Sequence, residues 1–473
     1  MERNIRTKFK DDPDGFSSSA GDAVPRDRAD LQTTHQAFSS PSLVPVSGES
    51  QNQALPFQQH YDRDSRLERL PPELRDHVLS ILDLDGLKAL VQASPIYHSQ
   101  YLSNRRHLLA SCMDATLKTA TVEAIVCYVS ARLQFAEKYM PDAVLHCLDV
   151  YQARQALPRY SIMDDNPTTD EIADMAAFHL GIVRPLMQEY IAWSLGNLAW
   201  RTGTRSSNTK LSTTEEMRLL RSMYRFQLWS NLFHICPDTQ DRHGLRLDGW
   251  KFMELQFSFF EPWEVEEIFC IKTFAKVKFD HIFSSIHRDL CPGPPAIPGQ
   301  QRSMPAGFFD FDHPFTRDCL LNGTIALGLN FLHTVLFKIK DHEHLVSTMR
   351  NHIGRQTFCF LNSDDIGLVV QNKRRRSKPS LRDRKQGRRD PLPFLGDVLV
   401  PSTDTTHPPL AWTLIWEGTY SSLVGYFIKD KVRQWGYVMW DAARLEKTGA
   451  KEVLKRQWES DWLGQDPRDL AIT

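Results

Sequence analysis

The stretch from Leu70 to Tyr97, LPPELRDHVLSILDLDGLKALVQASPIY, limits what this chain can fold into more than any other. Pro72 suits the first position of a helix, where its missing N–H costs nothing. Glu73 lies toward the positive end of the macrodipole. Leu74, Val78, Ile81 and Leu82 recur at i, i+4, i+7 and i+8, which is one helical face, and Leu79 widens it. Asp83 or Asp85 is placed to cap a second helix, with Leu87, Leu90 and Val91 on its apolar side. Ser94 followed by Pro95 is the start signal of a third helix carrying Ile96, Tyr97 and Tyr101. The pattern predicts three short helices with very short joints. A unit of this size buries too little surface to be firmly stable by itself. Its apolar side chains also exceed what one mutual core hides, so part of that surface should meet the rest of the chain or another protein.

These residues resemble the F-box, the adaptor-docking motif of SCF-type ubiquitin ligases. Its opening Leu-Pro-x-Glu-Leu is matched by Leu70, Pro71, Glu73 and Leu74, and its first-helix apolar positions by Val78, Leu79 and Leu82. The second-helix leucine is Leu87, Ala93 and Ser94 match the start of the third helix, and Tyr97 is the aromatic that follows. The chain departs from the motif at Pro95, where a basic residue is usual, at Tyr97, where Trp or Phe is usual, and in lacking a closing tryptophan. The wording from Leu82 to Pro95 also resembles long fungal proteins with F-box-like N-termini and helical bodies. The resemblance implies that Leu70, Pro71, Leu74, Leu79, Leu82 and Leu87 pack on a Skp-family adaptor within a cullin ligase. It further implies that the helical body holds a protein substrate, with no bond chemistry performed by this chain. The alternative from the residues alone is a non-enzymatic scaffold or binding protein in which 70–105 are only the first helices of the core.

The fold class expected is mainly α, with a three-helix F-box-like module followed by an irregular all-helical body and few or no strands. Residues 1–66, rich in Ser, Asp, Gln, Pro and Arg with little periodicity, read as a disordered tail. The module is placed at 67–112 and the body at 113–290. A Pro/Gly-rich loop follows at 291–313, and a helical continuation at 314–362. A basic disordered loop is read at 363–410, and an aromatic-rich segment at 411–473. Within the body, Val122, Ile125, Val126, Val129, Leu133, Ala136 and Met140 trace one helical face over five turns. Pro141 opens a helix with Val144, Leu148 and Tyr151 inward. Thr169-Asp170-Glu171 opens a long one that Pro185 must kink or break, since its ring clashes one turn back. The next, from Thr214, places Met217, Leu220, Tyr224, Leu228 and Ile235 inward. The aromatic run from Trp250 to Phe283 reads as core built on large rings, with a ring-lined ligand groove as the functional alternative. Leu423–Ile428 reads as a strand, and a last helix is expected from about Leu445 to Trp458.

Chemistry is sparse. There is no GxxxxGK[ST], GxGxxG or GxSxG, and His342-Glu343-His344 lacks the spacing of HExxH. Acid pairs Asp164-Asp165 and Asp364-Asp365 sit in polar, turn-like surroundings, not in the burial that separates the pKa values of a general acid and base. No catalytic residue, metal site or cofactor is expected; an enzyme would need a site assembled from residues distant in sequence. Eight scattered cysteines without a CxxC pair argue against a zinc ribbon or disulfide framework and fit a cytoplasmic or nuclear setting. A formal net charge of −1 gives no global pull toward nucleic acid or membrane, so neither is expected as a partner. The apolar run Cys319–Phe337 reads as a core helix with Ile325, Leu329, Leu332 and Leu336 on one face, in preference to a membrane span. Lys373, Arg374, Arg375 and Arg376, then Arg384, Lys385, Arg388 and Arg389, have the spacing of a bipartite nuclear address, or of a solvated basic loop.

Overall fold

Prolines and short polar caps start the helices where the sequence places them. In a computed structural model, α1 runs Pro72–Ser80, α2 Leu84–Ala93 and α3 Pro95–Ser103, followed by α4, Arg105–Leu117. Asp83 caps α2 by accepting from the Gly86 N–H at 2.7 Å, and Ser94 caps α3 by accepting from the Tyr97 N–H at 3.4 Å. The structure describes residues 66–132, 141–157, 159–204, 210–233, 259–290, 309–353, 380–397 and 407–470. The tail 1–65, Trp250, Phe252, Phe257, most of the Pro/Gly-rich stretch and Lys373–Arg376 lie outside the described residues.

The body continues with α5 (Thr121–Arg132), α6 (Pro141–Gln155), α7 (Thr169–Phe178), α8 (Arg184–Thr202), α9 (Thr213–Phe233) and α10 (Pro262–Leu290). Helix α9 packs along both α5 and α10 and is buried on almost every side. Thr168 and Glu171 form a capping box at the start of α7. The break expected at Pro185 is a π-helical turn, His179–Val183, with Pro185 in the first turn of α8; widening the preceding turn accommodates the ring. Val144, Leu148 and Tyr151 of α6 point inward as read, and α5 ends its described course at Arg132 with Val129 exposed.

The apolar run after Cys319 departs from the expected single helix. It forms α11 (Pro314–Ile325) and α12 (Gly328–His333), bent by 102°, with a second π-helical turn at Thr334–Lys338. The bend is at Gly328, whose φ is +80°. A Cβ there would lie 2.7 Å from Gln227 Oε1, so both the backbone angle and the contact call for glycine. Among the described residues no single helix is long and apolar enough to cross a membrane, although this bent pair passes on length and composition. Ile325, Leu329 and Leu332 are buried, and Leu336 is half-buried.

The remaining elements are α13 (His342–His352), α14 (Leu381–Gly387), α15 (Leu410–Ile415), α16 (Asp430–Arg433), α17 (Ala442–Thr448), α18 (Ala450–Trp462) and α19 (Pro467–Leu470). The fold is mainly α: among the described residues β pairing is confined to one isolated bridge, Pro391 with Thr419. Leu423–Ile428 is a 3-10 turn at Gly425–Phe427, not a strand, because Glu266 accepts the Gly425 N–H at 3.0 Å and takes it from any ladder. The last helix is two, separated at Gly449 in the left-handed conformation. The described aromatics of the 250–283 run are core as read, with Phe260, Trp263, Phe269, Phe274, Phe279 and Phe283 buried; Trp412, Trp416, Trp435 and Trp440 of the C-terminal segment are buried as well.

Candidate docking surface

Helices α1–α3 are closed over α4 by a small set of directional contacts. The Cys112 thiol donates to the Leu79 carbonyl at 3.1 Å, and the Leu84 N–H donates to Thr116 Oγ1 at 2.9 Å. Burial, with Asp83 nearby, pushes the Cys112 thiol up to about 12, so it stays protonated as a donor. Ahead of α1, the Tyr97 hydroxyl donates to the Leu67 carbonyl at 2.9 Å and Ser94 Oγ to Glu68 Oε1 at 2.5 Å, strapping the incoming chain onto α3. Gln100 Nε2 donates to Asp76 Oδ1 at 2.7 Å, joining α3 to α1.

The six residues expected to form one docking ridge are divided by this packing. Leu79 is 0% exposed and Leu87 4%, both turned into the shared core with Leu84, Tyr97 and Leu108. That corrects the expectation for these two: their side chains are consumed by α4, which a reading limited to three helices did not include. Leu74 is 50% exposed, Pro71 is exposed, and Leu70 and Leu82 are half-buried. Ile81, not singled out for docking, is 64% exposed. Pro71, Leu74 and Ile81 follow at spacings of three and seven, so α1 and its two caps present one apolar stripe outward, while Val78 between them is half-buried and packs on the core. A shallow groove of about 370 Å³ lies beside it, between Arg75 of α1 and Pro95, Ile96 and Ser99 of α3.

Nor does the module end at residue 112. Helix α4 runs through to Leu117, and its Asp114 accepts from Ser161 Oγ at 2.6 Å and from the Ile162 N–H at 3.1 Å. Burial raises the Asp114 carboxyl despite these donors. Arg106 Nε donates to the Pro167 carbonyl at 2.7 Å. The described residues accordingly make one compact unit, with the first helices continuous with the body.

The heart of the body is a buried ionic lattice that sequence reasoning missed. Arg221 and Arg225 on α9 face Glu264 and Glu267 on α10, all buried, while Arg218 of α9 pairs with Asp397 at 2.8 Å and Glu266 of α10 lies buried beside them. Arg221 Nε donates to Glu267 Oε2 at 2.7 Å, and Arg225 joins Glu264 and Glu123 at 2.9 Å each. Arg433 of α16 grips Glu266 with two N–H groups at 2.8 and 2.9 Å. Burial works to raise the Glu264 carboxyl, but Arg225 and Arg221 hold it at about 2. Burial prevails at Glu267, which is raised against the pull of Arg221. Each of these carboxylates is committed to a guanidinium, an arrangement that locks helices together. The available signal was arginine at i, i+3 and i+7 on α9, matched by Glu264 and Glu267 one turn apart on α10.

The second half of the basic run is folded, where a disordered loop was expected. Ser380 and Asp383 form a capping box that starts α14. Lys385 Nζ lies over the Tyr420 ring at 5.5 Å, Arg388 pairs with Asp390 at 2.6 Å, and Arg389 reaches Asp466 at 3.2 Å and Asp469 at 2.7 Å. Arg384 is exposed. His342 pairs with Asp289 at 3.0 Å on the surface, and among the described residues no group of His, Cys, Asp or Glu is arranged to hold a metal ion. No family model, curated protein or solved structure matches the chain.

Proposed function

We propose that the chain is a substrate-recruiting adaptor of the F-box kind, docking a Skp-family subunit through α1 and holding a target protein on its helical body. The observation that carries this reading is the outward stripe Pro71, Leu74 and Ile81, on helices whose own core is already filled by Leu79, Leu84, Leu87 and Tyr97. Burying such a stripe on a partner returns about 25 cal/mol per Å² of apolar surface. The docking set is therefore Leu70, Pro71, Leu74 and Leu82, extended by Ile81, while Leu79 and Leu87 support it from beneath. Holding ligase and target on one chain makes ubiquitin transfer effectively intramolecular. Nuclear import through the basic run belongs to the same proposal; its second half would have to release the Arg388 and Arg389 ion pairs to be read as an extended address.

The continuity of α4 with the body favours a second reading, a scaffold in which these helices are only core. Co-precipitation with a Skp adaptor separates the two. The full chain captures the adaptor, Leu74→Asp and Ile81→Asp lose it with an unchanged melting transition, and Trp200→Asp, on an exposed apolar side chain of α8, keeps it. Capture that survives both α1 substitutions, or no capture by the unaltered chain, rejects the docking reading.

A further inference from the structure

A second, unrelated feature of the body is a cavity of about 120 Å³ between α5, α7, α9 and α12. Its floor is apolar: Ala124, Cys127, Met175 and Tyr224, with Phe178 and Tyr128 as flanking walls. The volume approaches the roughly 150 Å³ of a dry cavity that admits benzene. The polar atoms near the floor are already occupied. Tyr224 OH and His179 Nδ1 are 3.0 Å apart. Asn231 Nδ2 donates to the Cys127 carbonyl and to Ser130 Oγ, each at 3.0 Å. Gln227 Nε2 donates to Asn231 Oδ1 at 2.7 Å, and Gln227 Oε1 accepts the Leu329 N–H at 2.6 Å. Water inside would find few partners, so the floor favours a ring or branched alkyl group.

The rim is charged asymmetrically. Arg132 is engaged with Glu171 and with the Tyr128 hydroxyl. Asp174, one turn along α7 from Glu171, is exposed and lines the opening, and its carboxylate has no hydrogen bond or ion pair among the described residues. One carboxylate therefore stands uncommitted at the mouth of an aromatic-walled hole. We propose that this cavity is a binding site for a benzene-sized apolar group carrying a cationic nitrogen, the apolar group packed against the wall that Phe178 and Tyr224 form together, their rings 6.1 Å apart, and against Tyr128, with the nitrogen paired with Asp174. Aromatic walls suit both halves of such a ligand, since their faces attract cations as well as rings. A free aromatic amine and the amino-terminal aromatic residue of a peptide share this chemistry.

Titration of the full chain with phenethylamine, with 3-phenylpropanoate, and with Phe-Gly-Gly bearing a free or an acetylated amino terminus tests the site. Phenethylamine should bind about fivefold tighter than the carboxylate, the scale of one partly exposed ion pair, and should shift the methyl resonance of Met175. Asp174→Asn, an exposed change that leaves the fold intact, should remove the preference while keeping the Met175 shift. Tighter binding of free than of acetylated peptide, beyond the amine alone, assigns the site to a peptide terminus; binding of the amine alone assigns it to a small molecule. Equal binding of amine and carboxylate, no binding of either, or binding that leaves Met175 unmoved overturns the proposal.

Discussion

The first three helices and the α9–α10 pair solve the same problem with opposite materials. Helices α1–α3 are thin and carry apolar residues on both sides: Leu79, Leu84 and Leu87 face α4, while Leu74 and Ile81 face outward. In the α9–α10 pair, arginines and glutamates are buried inside and meet one another. Leaving apolar surface open costs little in a monomer and gives a partner something to cover. Burying charge costs several kcal/mol per ion and is recovered only where geometry is good and every polar atom is satisfied. The first region can therefore change its surroundings, whereas the second admits one arrangement of its helices.

That contrast makes graded predictions. The largest effect is expected where the lattice loses one half of a pair. Glu266→Ala leaves buried Arg433 with only the Asp430 carboxylate, at 3.0 Å, and the Gly425 N–H without its acceptor, and should cost about 3–5 kcal/mol in urea denaturation; a loss below about 1 kcal/mol would show that Asp430 alone suffices for Arg433. Leu79→Ala, in the core beneath α1, should cost about 2–5 kcal/mol by the same measurement, and a neutral result would mean that α1 is not seated on α4.

A pH effect of intermediate size comes from His179. Burial, helped by nearby Arg184, lowers this imidazole from 6.5 to about 4. The unfolded chain then binds the extra proton between these values, so stability rises with pH from about 4 to 6.5 and is flat above. The span corresponds to about 3 kcal/mol. His179→Gln should flatten that part of the stability–pH curve, and an unaltered slope would rule the residue out as its source. Removing the α3 cap by Ser94→Ala, which also removes the Ser94 hydrogen bond to Glu68, should cost about 1 kcal/mol. The smallest change in stability, within about 0.5 kcal/mol, is expected for Leu74→Ser on the open stripe. A loss as large as that of Leu79→Ala would erase the distinction between the two faces of α1.

Much of the helical skeleton was legible locally. Pro72, Asp83, Ser94-Pro95 and Pro141 start helices where they stand, because capping and proline geometry depend only on neighbours in the chain. The residues of the proposed docking surface were legible as a set, since an apolar run is visible without coordinates. Their division was not. Leu74 and Leu79 look equivalent in the sequence, and only α4 makes one of them core. The basic run misled for a similar reason: Arg388 and Arg389 read as solvated charge until Asp390, Asp466 and Asp469 are brought beside them.

The sequence by itself determined that this chain is mainly helical, where most of its helices begin, and that its large rings form core, because periodicity and caps are short-range properties. Only the tertiary structure decided which leucines of the first helices stay open, that Gly328 turns an apolar run through a sharp bend against Gln227, and that arginines of α9 are neutralised inside by glutamates of α10. Those outcomes depend on partners tens to hundreds of residues away, and the energy of a buried charge or an exposed leucine is set by what it meets rather than by what it is.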